Sequence, residues 1–206
     1  MTKSANREEA KAAVARQMER LRTYCLYDGK ELEDRIQNTT TTYFSQRDNY
    51  TQPHRTCNSS SNAMYLDWLR AVTGRERLNG DDGYLKRVLS HGDTIFHWAQ
   101  TRAIKDIGFS TQWMTDHDTL FIDELEKAGF PVVVNILHRG SRSAPRGGHI
   151  IMIVGETKDD KNYIVHDPYG SLNDGYTVGS NGKHDRISKK EFYARWQSGY
   201  RTLAPV

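Results

Sequence analysis

The chain has 206 residues, of which 36% are hydrophobic, and its mean hydropathy of -0.77 describes a polar chain that is still long enough to bury one core. Its 29 basic and 26 acidic side chains leave a net charge of +3, which does not indicate nucleic-acid binding because no basic run with interleaved aromatic residues accompanies it. No apolar stretch approaches the roughly 18 residues of a transmembrane helix, and two cysteines exclude a disulfide framework.

Residues 4–24 are predicted to form a helix with a thin, alanine-rich apolar stripe. The stripe consists of Ala10, Ala13, Val14, Met18 and Leu21. So narrow a stripe suits a helix that packs on the domain or mediates self-association with another chain. We therefore divide the chain into an N-terminal helical appendage, residues 1–38, and a main domain, residues 39–206.

The N-terminal segment also bears on localisation. Residues 1–21 lack the continuous apolar core of a signal peptide. We expect synthesis in the cytoplasm, with any release following a route that needs no cleaved signal. In that compartment Cys25 and Cys57 are expected to stay reduced.

The central segment contains the clearest helix. Residues 25–38 show no regular period, and TTTTYF (39–44) has the β-branched composition of a short strand. From Cys57 to about Val72 the apolar residues follow a helical period, and Gly74 is expected to end that helix.

A loop and two further helices are predicted before the pattern changes. NGDDG (79–83) has the composition of a loop, and helices are expected over 93–106 and 118–128. Lys127 in the last turn and Gly129 just beyond it are typical of a helix C-terminus.

The last third of the chain has the composition of an antiparallel sheet. Three β-rich runs are found at residues 131–138, 149–156 and 162–167. A Gly-rich hairpin connection (139–148) joins the first two runs, and a turn-dense stretch (167–175) follows the third. Ser188 and Glu191 form a capping box, and 201–205 is predicted to be a last strand. Helices first and strands afterwards predict an α+β fold.

Cys57 is a candidate nucleophile because it is predicted to be the first residue of a helix. The partial positive charge of a helix N-terminus stabilises a thiolate, and the N–H of a first-turn residue is free to bind an oxyanion. Taken alone, this position is weak evidence, because a free cysteine is more commonly a small buried hydrophobic residue, and half of a disulfide is a further alternative.

Two residues of the sheet could complete such a site. His149 begins a strand directly after a glycine pair, and Asp167 ends the following strand. Adjacent antiparallel strands can bring these two ends together, so that the carboxylate accepts the imidazole N–H. The same residues have structural interpretations, since a strand histidine is commonly structural and Asp-Pro-Tyr-Gly is a good β-turn in any protein.

Taken together, these blocks resemble the C39-like peptidases, a branch of the papain-like cysteine peptidases. The resemblance covers about residues 40–200. The matching blocks are YFSQRDN (43–49), TCNSSSNAMYLDWL (56–69), GFPVVVNI (129–136), GGHIIMIVGE (147–156) and VHDPYGS (165–171). It implies a papain-like α+β fold, in which a helical side that begins with Cys57 packs on a twisted antiparallel sheet carrying the histidine and the aspartate.

The resemblance also implies the site residues. Cys57 would be the nucleophile, His149 the general base and acid, and Asp167 the orienting carboxylate. Gln46 matches the glutamine that donates from its amide to the oxyanion, which a neutral NH₂ group does well. Gln52 is the alternative, since it lies only five residues before the thiol.

The segments RDN (47–49) and DPYGSLNDGY (167–176) resemble the branch found in bacteriophage and bacterial cell-wall lysins. The expected substrate is then the short peptides of peptidoglycan, and the protein would be released to the cell wall or carried in a virion. The transporter-linked branch of the family is a poorer match, because neither a membrane segment nor an ATP-binding cassette is present in the sequence.

The other histidines do not suggest a metal site. His54 is expected at the cleft entrance, and strand alternation directs His166 to the face opposite Asp167. His91 and His97 lack the spacing of zinc ligands, and no cofactor or metal is predicted.

The most strongly indicated function is therefore peptide-bond hydrolysis by a cysteine peptidase. Two alternatives remain open: acyl transfer to an amine, as in transglutaminases, and a papain-like module that binds peptide without cutting it.

Overall fold

The computed structural model describes residues 7–115 and 119–205, and within them the chain forms seven α-helices and six β-strands. The helices are α1 (Arg7–Arg22), α2 (Leu32–Asn38), α3 (Cys57–Val72), α4 (Asp82–His91), α5 (His97–Asp106), α6 (Thr119–Lys127) and α7 (Lys189–Arg195). Single 3₁₀ turns cover Gly29–Glu31 and Gln46–Asp48.

The strands form one antiparallel sheet in the order β1-β6-β2-β3-β4-β5. They are β1 (Thr111–Met114), β2 (Val132–Arg139), β3 (Arg146–Glu156), β4 (Asn162–His166), β5 (Asp185–Ser188) and β6 (Trp196–Leu203). Helices α3 and α6 contact β3, and α7 contacts β2 and β5. Six of the seven described helices precede the uninterrupted run of strands from β2 to β5, so the predicted α+β organisation is confirmed.

Helix α3 is the central helix of the fold, and its bounds are those that the sequence predicts. The apolar half of the helix is fully buried, with Trp68 1% exposed and Leu69 0% exposed. Ser61 in the other half donates to the Ile150 carbonyl of β3 at 3.0 Å. Thr73 caps the helix, and Gly74 follows with φ +83°, a conformation that glycine adopts without strain. The helix therefore holds its first residue at a fixed height above the sheet.

The β2–β3 hairpin sets the position of His149. In its register Ile136 pairs with His149 and Arg139 pairs with Arg146, so residues 140–145 form the connection. Gly140 has φ +76°, and a Cβ there would clash with the backbone oxygen of Ala144. The predicted hairpin is confirmed, with a tighter turn than the sequence suggests.

The N-terminal helix packs against β6, the strand next to the β1 edge of the sheet. The Gln17 side chain donates to the Leu203 carbonyl at 3.2 Å and accepts from the Leu203 N–H at 2.9 Å. Leu21 of α1 and Leu32 of α2 are 0% exposed. The helix thus contacts the domain, as one of its two predicted roles requires, while the domain boundary at residue 38 stays a prediction.

Several local predictions are wrong. Residues 39–44 form no strand; instead the hydroxyl of Thr42 donates to the buried Asp67 carboxylate at 2.7 Å. Helix α4 begins inside the predicted loop, and the predicted helix over 93–106 begins only at His97.

Helix α4 was not predicted, and neither were three short elements, namely α2, β1 and β5. The predicted starts at residues 4 and 118 lie outside the described residues. Each of the three short elements has seven residues or fewer, which is too short to display a period.

Candidate active site

Cys57 is the first residue of α3 and is half-buried. It lines a cavity of about 300 Å³ together with His149, Asn135 and His97. As the first helical residue, its N–H has no acceptor within the helix and lies in the region of positive partial charge. The thiol and the backbone N–H of Cys57 are therefore both available to a group bound in this cavity.

A polar network holds the start of α3 in place. Ser60 donates to Asp81 at 2.6 Å, and the amide of the buried Asn49 lies between Asp81 and the hydroxyls of Thr56 and Ser60. Asn58 donates to the Thr94 carbonyl at 3.1 Å. The serine run in this helix is thus a buried hydrogen-bonded surface, which explains why polar residues replace apolar ones here.

His149 and Asp167 meet as the sequence predicts. The Nε2 atom of His149 lies 2.7 Å from Oδ1 of Asp167, and the two side chains are 3% and 0% exposed. Asp167 also accepts from the Tyr169 N–H at 2.9 Å and from the Tyr176 hydroxyl at 3.0 Å. With Nε2 bound to the carboxylate, Nδ1 is the ring nitrogen left for the thiol.

The charges of the cysteine and the histidine depend on each other. Burial raises the pKa of the Cys57 thiol, but the nearby His149 charge and hydrogen bonds from His149 and the Ile150 backbone lower the pKa below its ordinary value overall. Burial likewise opposes charge on His149, yet Asp167 and Cys57 raise the pKa of His149 to about 10. Each charge therefore stabilises the other, and the pair favours a thiolate beside an imidazolium.

The two glutamines occupy different positions. Gln46 is 1% exposed; its Nε2 donates to the Pro53 carbonyl at 2.8 Å, and its Oε1 has no hydrogen-bond partner among the described residues. One N–H of that amide remains for another acceptor. Gln52 has φ +51°, and its Oε1 accepts from Arg55 at 3.1 Å. Which of them serves an oxyanion stays a prediction.

Arg47 joins two of the sequence blocks. Its guanidinium donates to the carbonyls of Tyr169, Tyr176 and Thr177, at 2.5, 3.0 and 2.9 Å respectively. The preceding residue, Gln46, donates its N–H to the Pro168 carbonyl at 2.9 Å. The RDN segment therefore anchors the loop whose tyrosines hold the Asp167 carboxylate.

The remaining histidines lie in distinct surroundings. His54 is exposed, and His91 lies 2.7 Å from Asp106. His166 is buried next to Thr41, with its Nε2 3.2 Å from the hydroxyl, and it makes no contact with Asp167 through its ring. Within residues 7–115 and 119–205, no group of three or more His, Cys, Asp or Glu side chains could hold a metal ion.

Sequence reasoning missed three residues at the site. His97 lines the cavity of Cys57 and stacks on Trp113 with ring centroids 3.7 Å apart. His138 packs on His149 with centroids 4.7 Å apart, and Tyr176 binds Asp167.

Only His138 had a signal in the sequence. It lies two residues beyond the position that pairs with His149 in the predicted hairpin, and therefore on the same face of the sheet. The other two residues come from a helix start and a loop, for which no pairing rule applies.

The comparisons with known proteins agree with this geometry. The model of the Peptidase_C39 like family matches residues 39–203. One similar solved structure is the peptidase domain of Streptococcus ComA, a bifunctional ABC transporter involved in a quorum-sensing pathway. Its identity to this chain is 20%, the match covers 81% of this chain and 100% of that one, and the TM-score is 0.51. No curated protein matches the chain.

A second similar structure is a candidate C39-like peptidase from Bacillus anthracis. It shares 13% identity, with 82% of this chain and 96% of that chain covered and a TM-score of 0.56. At these identities the two structures show a common fold alone. The predicted resemblance and the papain-like α+β fold are confirmed, whereas the likeness to phage lysins stays a prediction, because neither structure is described as one.

None of the described helices is both long and apolar enough to cross a membrane.

Proposed function

The chain belongs to the Peptidase_C39 like family, and from that premise we propose that it is a cysteine peptidase with Cys57 as nucleophile, His149 as general base and acid, and Asp167 as orienting carboxylate. One observation carries this proposal: a half-buried thiol of lowered pKa shares a cavity with an imidazole that is bound to a buried carboxylate at 2.7 Å. This combination supplies a nucleophile, a proton donor and a group that keeps the donor charged.

In the acylation step, the Cys57 thiolate attacks the carbonyl carbon of a peptide bond, and a carbon–sulfur bond forms. The carbonyl oxygen becomes an oxyanion, for which the Cys57 N–H and the free N–H of the Gln46 amide are the proposed donors. The carbon–nitrogen bond then breaks as the imidazolium of His149 gives its proton to the leaving amine. The products of this step are an acyl enzyme, a neutral imidazole and the free amine.

In the second step, the neutral imidazole of His149 takes a proton from water, and the resulting hydroxide attacks the thioester carbon. Collapse of this intermediate breaks the carbon–sulfur bond, releases the carboxylic acid and restores the thiolate beside the imidazolium. Asp167 keeps the ring in one orientation throughout, because its Oδ1 accepts a hydrogen bond from the Nε2–H while Tyr169 and Tyr176 hold the carboxylate.

The proposed substrates are peptides, and the short peptides of peptidoglycan are the first class to test. The resemblance of residues 47–49 and 167–176 to cell-wall lysins supports this choice. The structure gives a second reason for this choice. Arg47 of the first segment donates hydrogen bonds to the backbone of the second, so the two segments that resemble lysins form one continuous region of the protein.

The test compares wild type with Cys57→Ala on purified peptidoglycan fragments and on a mixed peptide library, with products identified by mass spectrometry. Wild type is expected to release new amino termini, and Cys57→Ala to lose activity by roughly 10³-fold or more, because no other group can form the acyl enzyme. Cys25→Ala is the matched control, since that thiol bonds the Leu21 carbonyl away from the site. Unchanged activity in Cys57→Ala would refute the mechanism.

A further inference from the structure

A second cavity lies beside the catalytic pair. It has a volume of about 540 Å³ and is bounded by the end of β2, the loop after Asp167, strand β5 and helix α7. We call it the basic cavity and define it by His138, Arg139, Tyr176, Arg186 and Arg195. It shares no lining residue with the cavity that contains Cys57.

The walls of the basic cavity carry an excess of positive charge. Three guanidiniums line it, on Arg139, Arg186 and Arg195, and among its described lining residues Glu191 is the only carboxylate. Glu191 accepts from Arg195 at 2.6 Å, so its charge is already paired. Arg139 and Arg186 are exposed at the rim and keep N–H groups that can bind an anion.

The floor of the cavity is rigid. Arg195 is 5% exposed and donates to the carbonyls of Leu137, Arg139 and Gly140, at 2.9, 3.3 and 3.0 Å. These hydrogen bonds hold the end of β2, which contains His138 and Arg139. A preformed cationic cavity binds an anion without first having to order its own backbone.

The basic cavity lies next to the His149 ring. His138, which lines it, packs on His149 with ring centroids 4.7 Å apart, and Tyr176 approaches the same ring edge-on at 5.9 Å. In the proposed reaction His149 protonates the leaving amine, so the leaving fragment must pass this ring. At about 3.5 Å per extended residue, two or three residues beyond the cut bond reach the cavity.

We propose that the basic cavity binds a carboxylate of the peptide substrate on the carboxyl-terminal side of the scissile bond. Acidic side chains or a free terminal carboxylate in that part of the substrate are therefore preferred. This inference rests on the proposed peptidase function and deepens it by naming the chemistry that the leaving fragment must carry. Arginine suits this task because its planar fork matches a carboxylate.

The first experiment reads the cleavage sites of wild type in a mixed peptide library by mass spectrometry. Asp, Glu or a free carboxyl terminus is expected to be enriched within three residues after the cut bond. Peptide pairs that differ only by Glu or Gln at the enriched position then give a ratio of kcat/KM, expected to be about tenfold in favour of Glu, the size of a charge-assisted hydrogen bond.

The second experiment measures that ratio in Arg186→Gln and in Arg139→Gln. Each substitution is expected to move the ratio towards one, whereas Lys158→Gln, which removes an exposed charge on another loop, leaves it at the wild-type value. Because the ratio compares two peptides on one enzyme, a general loss of fold or activity cancels.

Three results would overturn this inference. Cleavage by wild type without any preference for a carboxylate contradicts it while leaving the peptidase proposal intact, and so does a ratio that both arginine variants retain. Absence of all cleavage by wild type contradicts the peptidase proposal itself, and the carboxylate site as a substrate site along with it.

Discussion

Two walls meet at the cavity of Cys57 and hold their groups in different ways. The helix wall, which is the start of α3, is held by hydroxyl and amide hydrogen bonds around Ser60, Asn49 and Thr94. The sheet wall is held by a buried ion pair between His149 and Asp167. The helix wall therefore determines where the sulfur lies, whereas the sheet wall determines the charge on that sulfur.

Among the changes that compare the two walls, the largest expected effect is in the sheet wall. Asp167→Asn keeps an oxygen that can accept from the Nε2 of His149 but removes the charge that keeps the ring protonated. We expect kcat/KM to fall by about 100-fold, within the range of general acid–base catalysis. The upper limit of the pH–activity profile, set in wild type by the His149 pKa of about 10, is expected to move to lower pH.

The measurement is the pH dependence of peptide cleavage by both proteins. The direction of the pH dependence follows from the raised pKa of His149. Because the pKa of His149 is raised from 6.5, its protonated form contributes stability that is fully present below about 6.5 and lost as the pH rises through about 10. An upper limit that does not move in Asp167→Asn would show that the carboxylate only orients the ring.

The next expected effect is that of a residue in the sheet wall on the reactivity of the thiol in the helix wall. In a Cys25→Ala background, His149→Gln is expected to slow alkylation of Cys57 by iodoacetamide at pH 6 severalfold, because the thiolate is the form that reacts. The reason is that the His149 charge and hydrogen bond lower the pKa of the thiol. Equal alkylation rates in the two proteins would assign the low thiol pKa to the helix N-terminus instead.

The smallest effect concerns the helix wall alone. Burial raises the pKa of Asp81 to about 6, so the carboxylate that Ser60 contacts is costly to keep charged. We expect Asp81→Asn to increase the free energy of unfolding at pH 8 by about 1 kcal/mol. At pH 4 the difference should vanish, because the stability linked to a raised carboxyl pKa is present below 3.8 and lost above about 6.

Urea unfolding at the two pH values checks this prediction, and peptide cleavage at pH 8 should change little, since Asp81 does not line the cavity of Cys57. A loss of stability at pH 8 would mean that the network needs the full charge of the carboxylate. The helix wall would then resemble the sheet wall, and the contrast between them would fail.

The sequence predicted the main element of each wall. The bounds of α3 follow from its apolar period and from Gly74, both of which are local signals. The hairpin that carries His149 also follows from local alternation. By contrast, Thr42 has strand composition but bonds the distant Asp67, and its neighbours form no strand. A contact made across the fold outweighed local propensity there.

The sequence by itself determined which residues could do chemistry and on which elements they lie, because periods, caps and turns depend on neighbours along the chain. The tertiary structure alone decided that the thiol and the imidazole share a cavity, that Tyr176 holds the carboxylate and that three arginines line a second cavity next to His149. The physical reason is that these features depend on distances between residues far apart in the chain, and the charge of each buried group depends on those distances.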